Sequence, residues 1–472
     1  MSVEFGVSTL IVAAIAAALT LLLGWKRPFL ALSALILLIP FRDFSTRWMN
    51  VHSGLSVPLV TAVGRWWFAV IAALLALAVV RWIVGLWRER RRPQLKSVDA
   101  LVALVLLVGT IHTLASPQFN AAVTSFRGYV QPLAVYFLGR AIRPDRRELR
   151  WLLVLWLVAG LIMGVFALRQ ATTWTDADYR AEGYIRQDGD LVVPPAYLAG
   201  QRYLRPASTV SGPNELGLDM VILLIMAAVW LSAERKSVLP LAASALVFTG
   251  AMGASLSRSG FLSLVVGLAT VVVLHWRRLR SWIASATSRA RLGMLLGGGA
   301  GIAVVILVLG RFGIIGMVTD TIVSLTGEYH FLDSMDTIRY LARQPWGVGM
   351  GLVEPKGALL LIEAGGGSHV EGSIFQIAME MGVWGLAAWL AFWAAALARI
   401  YRNWHRLQTP ELRVVAGTAF AGWLGSLIAF LFLPLMQSIS LMVWLWFLLG
   451  AGYQSDQFEA AWHGAEAARS PS

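Results

Sequence analysis

The chain of 472 residues contains no cysteine, which excludes disulfide bonds, thiolate nucleophiles and cysteine-ligated metals. Charged side chains make up only 14% of the residues, whereas hydrophobic ones make up 58%. The alternating strand pattern of a transmembrane barrel is also absent. In its place stand apolar runs of about twenty residues, separated by short basic clusters. Because backbone groups find no water in the bilayer core, such runs must be helical. We therefore expect an all-α polytopic integral membrane protein.

The apolar runs of spanning length predict about 12–13 transmembrane helices. They lie near residues 8–24, 28–41, 66–87, 98–115, 121–140, 151–169, 214–232, 238–254, 260–276, 293–311, 373–398, 413–433 and 438–454. Two connections between them are much longer than the rest, and long loops usually carry function. The predicted order is N-terminal helices within 1–169, a first periplasmic loop at 170–213, central helices within 214–311, a second periplasmic loop at 312–372, C-terminal helices within 373–454 and a disordered cytoplasmic tail at 455–472.

The placement of these loops follows from the basic clusters, such as those at 88–92, 277–291 and 399–406. They follow every second crossing, and loops rich in lysine and arginine stay in the cytoplasm. The two long loops then lie on the periplasmic side. The net charge of +13 is explained by this topology and by attraction to anionic membrane lipids, so we expect no nucleic acid partner.

Several arginines outside the predicted cytoplasmic loops run against this orientation bias, and a bound anion is one explanation. The candidates are Arg205, Arg258, Arg127 and Arg339. Arg205 shortly precedes Pro213 and Asn214, a predicted helix start of the kind that binds anions. Arg258 lies in a short polar break between two apolar runs, where the alternative is snorkelling to the membrane interface. Arg127 lies inside a predicted span and has the same two interpretations.

Two further groups of residues leave alternatives open. His369 and Glu371 stand just before an apolar run, where either could take a proton from a hydroxyl group, although Glu371 also suits a helix start. Trp174, Tyr179 and Tyr184 in the first long loop could anchor at the membrane interface or stack on a sugar ring. No acidic cluster has the spacing of a metal site, and we predict none.

Three patches between residues 200 and 390 resemble signatures of the O-antigen ligase and O-antigen polymerase superfamily of bacterial envelope glycan enzymes. Residues 205–214 are similar to its Arg-x-x-Gly-x-Phe-x-x-Pro-Asn pattern, with Ser208 in place of glycine and Val210 in place of phenylalanine. Residues 255–260 are similar to its Ser-Arg helix start. The third patch follows the signature segment in order, through Asp336, Arg339, Pro345, Gly347, Gly349, Gly351, His369, Gln376, Glu380 and Gly385.

The resemblance implies a metal-independent glycosyltransferase without cofactors in the bacterial inner (plasma) membrane. It would transfer a glycan from a polyprenyl (undecaprenyl) diphosphate donor to a glycan or lipid A core acceptor on the periplasmic face, with inversion at the anomeric carbon. Arg205 and Arg258, with Arg127 and Arg339 as further candidates, would hold the diphosphate. His369 or Glu371 would be the catalytic base.

The remaining residues of the pattern would have supporting roles. Asn214 begins a helix, and the second long loop would act as a lid with Gly347, Gly349 and Gly351 as flexible points. The family often has His-x-His-Asn where this chain reads His369-Val370-Glu371-Gly372. That departure leaves both the base and the choice between polymerase and ligase open.

Two other classes of function compete with the enzyme. A transporter or flippase for lipid-linked glycans would use the same arginines only for binding, and such proteins tend to carry internal repeats. No repeat of the Arg205 or His369 region is evident in the N-terminal half. A structural membrane protein without catalysis would leave the arginines unexplained.

Overall fold

The structure, a computed structural model, describes residues 3–56, 59–60, 63–89, 96–184, 191, 193, 195–198, 201–234, 238–285, 330–353, 370 and 372–468. Its helices are α1 (Val3–Lys26), α2 (Pro28–Leu38), α3 (Arg42–His52), α4 (Trp66–Glu89), α5 (Ser97–Leu114), α6 (Phe119–Ala141), α7 (Arg146–Thr173), α8 (Asp176–Ala181), α9 (Pro213–Ala233), α10 (Val238–Ser255), α11 (Arg258–Ser285), α12 (His330–Arg343), α13 (Ser373–Arg406), α14 (Pro410–Phe432) and α15 (Ile439–Ala467). Two short 3₁₀ helices cover Ile39–Phe41 and Leu435–Gln437, and an antiparallel hairpin pairs β1 (Ala196–Leu198) with β2 (Gln201–Tyr203).

The membrane-spanning character of these helices confirms the predicted fold class. Within the described residues, eight helical segments are long and apolar enough to cross a bilayer. They are Pro28–His52, Ser97–Leu114, Arg146–Thr173, Pro213–Ala233, Val238–Ser255, Arg258–Trp276, Ser373–Arg406 and Pro410–Phe432. Two shorter apolar stretches, Ala14–Lys26 and Trp66–Arg81, accompany them. The protein is a multi-pass, all-α membrane protein with one small hairpin.

The eight apolar segments are fewer than the 12–13 transmembrane helices that the sequence predicts. The predicted spans 121–140 and 438–454 are helical, as α6 and the first part of α15, but neither is among the eight apolar segments. The predicted span 293–311 lies outside the described residues. A total of 12–13 transmembrane helices therefore stays a prediction.

The core of the bundle is built around α9, α14 and α15, which pack against one another. In α9 and α14, 72% of the most apolar window is buried inside the protein, against 28% in the peripheral α5. Close helix crossings use small residues, as in other membrane bundles. An added Cβ at Gly139 in α6 would lie 2.8 Å from the Phe447 carbonyl oxygen in α15.

Two of the aromatic residues of the first long loop, Tyr179 and Tyr184, have neither of the roles predicted for them. Trp174, Tyr179 and Tyr184 pack edge to face, with ring centroids 5.1–5.7 Å apart. Tyr179 and Tyr184 are at most 1% exposed. They form a small apolar core outside the bundle with Val193 and Ala207. Buried in this way, the two tyrosines cannot anchor at a membrane interface or stack on a sugar.

The predicted disordered tail is also wrong as far as Ala467, because α15 continues through it. The segment is held by Phe458, which is 1% exposed in the bundle core, and by polar residues that find partners on the bundle. Asp456 pairs with Arg399 at 3.0 Å, and the Glu459 carboxylate accepts a hydrogen bond from the Gln408 backbone N–H at 2.8 Å. Trp462 Nε1 donates to the Pro144 carbonyl oxygen at 2.9 Å.

Carboxylates pair with several arginines at one end of the bundle, which we call the paired end and which holds the α6–α7 and α13–α14 turns. Arg140 pairs with Asp99 in α5 at 2.5 Å. Arg146 and Arg150 both reach the buried Glu411 carboxylate, at 3.2 and 3.3 Å. Ion pairs of this kind hold helices together but leave little positive charge for a ligand.

Candidate functional site

The first signature patch, residues 205–214, lies at the opposite end of the bundle, which we call the site end. There the Phe44 backbone N–H donates to the Thr209 carbonyl oxygen at 3.1 Å, and Arg47 Nη2 donates to the Val210 carbonyl oxygen at 2.8 Å. Both donors belong to α3. The patch is therefore fixed against α3 immediately before α9 begins.

Ser208 is the tightest point of this patch, because its backbone is left-handed with φ of 52°. Its N–H donates to Gln170 Oε1 and its hydroxyl donates to the Met163 carbonyl oxygen, both at 2.7 Å. The Tyr184 hydroxyl donates to the Ser208 carbonyl oxygen at 2.5 Å. Glycine reaches this conformation without strain, which gives a physical reason for the glycine of the family pattern at this position.

The Arg205 side chain joins the first two signature patches in space. Its Nε donates to the Ser255 carbonyl oxygen and its Nη2 donates to Asn214 Oδ1, both at 2.8 Å. Asn214 thus positions the arginine as well as beginning α9. Both acceptors are neutral, so neither cancels the positive charge of the guanidinium.

The break between α10 and α11 makes the Ser255 carbonyl oxygen available. Leu256 has a left-handed backbone with φ of 50°, which reverses the chain. Ser257 Oγ then accepts a hydrogen bond from the Gly260 N–H at 3.2 Å and caps α11. Arg258 consequently stands in the first turn of α11.

Arg258 is an exposed arginine three residues after Ser255, whose carbonyl oxygen accepts the hydrogen bond from Arg205. Burial, and then the positive charge of Arg258, lower the pKa of Arg205 to about 10. Arg205 therefore remains cationic near neutral pH. Among the residues that the structure describes, Arg258 makes no ion pair or hydrogen bond. Two neighbouring guanidinium groups without a carboxylate partner are suited to bind a multivalent anion.

A polar cavity of about 310 Å³ lies at the same end of the bundle, against Ser211 and Glu215 near the start of α9, and neither Arg205 nor Arg258 lines it. It is lined by Arg42, Asp43, Trp67, Phe68, Thr124, Arg127, Gly128, Gln131, Ser211, Glu215, Ser438 and Ile439. Arg127 is exposed and places its guanidinium 4.9 Å from the centroid of the Phe68 ring. Anion binding and snorkelling both stay predictions for it. Arg42 was missed in the sequence, although it follows the predicted span 28–41 and breaks the same charge rule as Arg127.

The third signature patch is fixed by a buried carboxylate, that of Glu380 in α13, which is 0% exposed. Its Oε1 accepts hydrogen bonds from Ser125 Oγ at 2.7 Å and from the Gly351 N–H at 3.0 Å. Its Oε2 accepts one from the Tyr129 hydroxyl at 2.7 Å. Glu380 thereby ties the 345–351 turn to α6, the helix that carries Arg127.

Close packing requires glycine at two positions of this turn, while the flexibility predicted for its glycines stays a prediction. Gly347 and Gly351 have left-handed φ values of 75° and 77°. An added Cβ at Gly351 would lie 2.5 Å from the carbonyl carbon of Ala121, and one at Gly347 would clash with the Met379 carbonyl oxygen. Gly349 is also left-handed, but it has open space around it, with Leu352 Cδ1 at 3.6 Å.

Three candidates remain, namely Arg339, His369 and Glu371. Arg339 is exposed on α12. His369 and Glu371 lie outside the described residues, although Gly372, directly after them, caps α13. Within the described part of the chain, no group of three or more metal-ligating side chains occurs. One arginine that breaks the charge rule has a local partner, since Arg202 pairs with Asp176 at 2.7 Å.

Comparison with known proteins adds no relative to these observations. The sequence matches no protein-family model, and it has no significant match among curated proteins. The functional argument therefore depends on the residues and on their geometry.

Proposed function

We propose that the protein is a membrane glycosyltransferase of the O-antigen polymerase or ligase type. It transfers a glycan from a polyprenyl diphosphate carrier to an acceptor hydroxyl on the periplasmic face of the bacterial inner membrane. The observation that carries the proposal is the position of Arg258 beside Arg205, whose own hydrogen bonds go to the neutral Asn214 and Ser255. A diphosphate is the multivalent anion that such a pair binds well.

Two cavities in the bundle suit the other parts of such a donor. The polar cavity contains Arg127 and the Arg42–Asp43 ion pair at the site end of the bundle. An apolar cavity of about 380 Å³ lies between α1, α2 and α4 and is lined by Trp66, next in sequence to Trp67 of the polar cavity. An isoprenoid chain fits apolar surroundings of this kind, with the diphosphate at the polar side.

In the proposed reaction, the acceptor oxygen attacks the anomeric carbon as the bond from that carbon to the diphosphate oxygen breaks. The leaving polyprenyl diphosphate takes the electron pair, and Arg205 and Arg258 stabilise the negative charge that develops on it. His369 or Glu371 accepts the proton of the acceptor hydroxyl. Direct displacement inverts the configuration at the anomeric carbon.

The test is complementation of a host that lacks the gene, with wild type, Arg205→Ala, Arg258→Ala, His369→Ala or Glu371→Ala at matched protein levels. Arg150→Ala serves as the control, because this arginine belongs to the paired end. Glycan size profiles and extracted carrier lipids are measured together. Single-repeat glycans that stay short indicate a polymerase, whereas full-length glycan retained on the carrier indicates a ligase.

Two results would reject the proposal. Normal glycan profiles in all four variants would mean that the arginines have a structural role and take no part in transfer. Lipid-linked glycan that accumulates only on the cytoplasmic face would indicate the transporter or flippase instead, since a transferase leaves its donor on the periplasmic face.

A further inference from the structure

Asp219 is a buried carboxylate for which the proposed glycosyl transfer has no use. It lies in the second turn of α9, inside a membrane-spanning segment, and is 0% exposed. Neither of its carboxylate oxygens has a hydrogen-bond partner among the described residues. A bare buried carboxylate in a membrane is costly, and such residues commonly mark ion or proton sites.

A second buried acid, Glu215, precedes it by four residues and is 3% exposed. Side chains four residues apart lie on the same face of a helix, with Cβ atoms about 5–6 Å apart. The Ser211 N–H donates to Glu215 Oε2 at 2.9 Å, and Ser440 Oγ donates to Oε1 at 2.9 Å. The Ser211 hydroxyl also donates to Oε2. Every one of these partners is neutral.

Two other buried acids show what this pair lacks. Glu411 is 4% exposed and is neutralised by Arg146 and Arg150. Glu380 receives three hydrogen bonds to its two oxygens. Within the described residues, Asp219 has neither kind of support, and no cation lies within ion-pair distance of Glu215 or Asp219. Two adjacent ionised carboxylates in these surroundings would repel each other strongly.

The surroundings of the pair provide a route from solvent. Glu215 lines the polar cavity, whose other charged residues are Arg42 and Asp43 on α3 and Arg127 on α6. Asp43 is paired with Arg42. Oxygen atoms are also available deeper in the bundle, since Ser263 Oγ and Ser426 Oγ, on helices that pack against α9, are buried without partners in the described structure.

We propose that Glu215 and Asp219 form a site for one monovalent cation, H⁺ or Na⁺, that enters from the polar cavity. The bound ion removes one negative charge from the pair and supplies the partner that the Asp219 oxygens lack. This inference depends on the two carboxylates and the cavity, and it holds whether or not the protein transfers glycans.

Infrared difference spectroscopy of the purified protein in lipid nanodiscs tests the site. Spectra of wild type and Asp219→Asn are compared in sodium-free buffer at neutral pH. If a proton is bound, the difference spectrum between wild type and Asp219→Asn contains the carbonyl band of a protonated carboxylic acid. This band shifts in D₂O. If Na⁺ is the ion, the difference contains ionised carboxylate bands that move when Na⁺ is added. Carboxylate bands that do not respond to Na⁺ would overturn the proposal.

The chain provides a matched control in Glu411. Because two arginines neutralise it, the difference between wild type and Glu411→Gln should contain only ionised carboxylate bands in the same sodium-free buffer. Asp219→Glu keeps an acid at the site and should move the carbonyl band without removing it, which provides a second variant if Asp219→Asn does not fold. Glu215→Gln should slow the D₂O exchange of the Asp219 proton if the cavity is the route.

Discussion

The two ends of the helix bundle hold their arginines in different ways. At the paired end, Arg140 meets Asp99 and Arg399 meets Asp456 across helices. At the site end, Arg205 is bonded by an amide and a backbone carbonyl oxygen, and Arg127 lies over an aromatic ring. Neutral acceptors fix the position of a guanidinium without cancelling its charge. The difference separates arginines that stabilise the fold from arginines that remain able to bind an anion.

Buried carboxylates are divided in the same way. Glu411 at the paired end is held by two arginines, whereas Glu380 on the site side is held by two hydroxyl groups and a backbone N–H. Within the described residues of the site end, no carboxylate pairs with Arg205 or Arg258, whereas Arg42 pairs with Asp43. If acids had been placed beside Arg205 and Arg258, they would have competed with any anionic ligand.

The largest effect is expected from Arg258→Ala. If this arginine stabilises the developing negative charge on the diphosphate, its loss lowers the transfer rate by about 10²–10³-fold. The unfolding temperature should hardly change, because the side chain is exposed. Transfer is measured in membranes supplied with extracted donor lipid, and Arg150→Ala is measured in parallel. Equal losses in both variants would remove the distinction between the two ends.

The second effect concerns stability. Glu380→Ala leaves two hydroxyl groups and the Gly351 N–H without their acceptor, which should lower the free energy of unfolding by about 3 kcal/mol. Glu411→Ala should cost about 1 kcal/mol, because Arg146 and Arg150 are 52% and 46% exposed and can turn to solvent. Thermal unfolding of the solubilised protein, followed by tryptophan fluorescence, compares them. If Glu411→Ala lowered the free energy of unfolding more than Glu380→Ala did, the ion pairs at the paired end would contribute more to stability than the hydrogen bonds to Glu380.

A third and smaller difference separates two glycines of the 345–351 turn. Gly351→Ala adds both left-handed strain and a contact with the Ala121 backbone, so it should cost about 2 kcal/mol or more. Gly349→Ala adds the strain in open space and should cost about 1 kcal/mol. Thermal unfolding is again the measurement. If both variants slowed transfer equally and kept the wild-type unfolding temperature, the glycines would be hinges after all.

Hydropathy predicted most of the helices because the bilayer requires internally bonded backbone wherever the chain is apolar. The prediction of a disordered tail is wrong because single contacts hold this segment to the bundle, namely the buried Phe458 and several polar pairs. Asp456 and Glu459 reach partners about fifty residues away in sequence, and no local pattern reveals such contacts. Composition also could not distinguish Tyr179 in a small buried core from a tyrosine at a membrane interface.

Individual residues of the candidate site could be predicted from the sequence, but the hydrogen bonds between them could not. Arg205, Asn214 and Arg258 could be selected from charge placement and helix starts. The hydrogen bond from Arg205 to the Ser255 carbonyl oxygen spans fifty residues and depends on how α9 and α10 pack. Glu380 was quoted as part of a pattern, yet its role depends on Ser125 and Tyr129, more than 250 residues earlier. The sequence does not predict a site at Asp219, because a single acid in an apolar run does not reveal whether it has a hydrogen-bond partner.

The smallest effect is expected at the ion pair between Arg202 and Asp176, which resembles the paired end in chemistry but lies exposed in the first long loop. Both side chains are at least 40% exposed, so Arg202→Ala should cost less than about 1 kcal/mol and leave transfer unchanged. Hydrogen bonding from Arg202 lowers the pKa of Asp176. The stabilisation is therefore complete above the ordinary aspartate pKa and is lost as the pH falls through the lowered value. Unfolding temperatures of wild type and Arg202→Ala should converge in acid, and a difference that persisted there would mean that Arg202 acts through packing rather than charge.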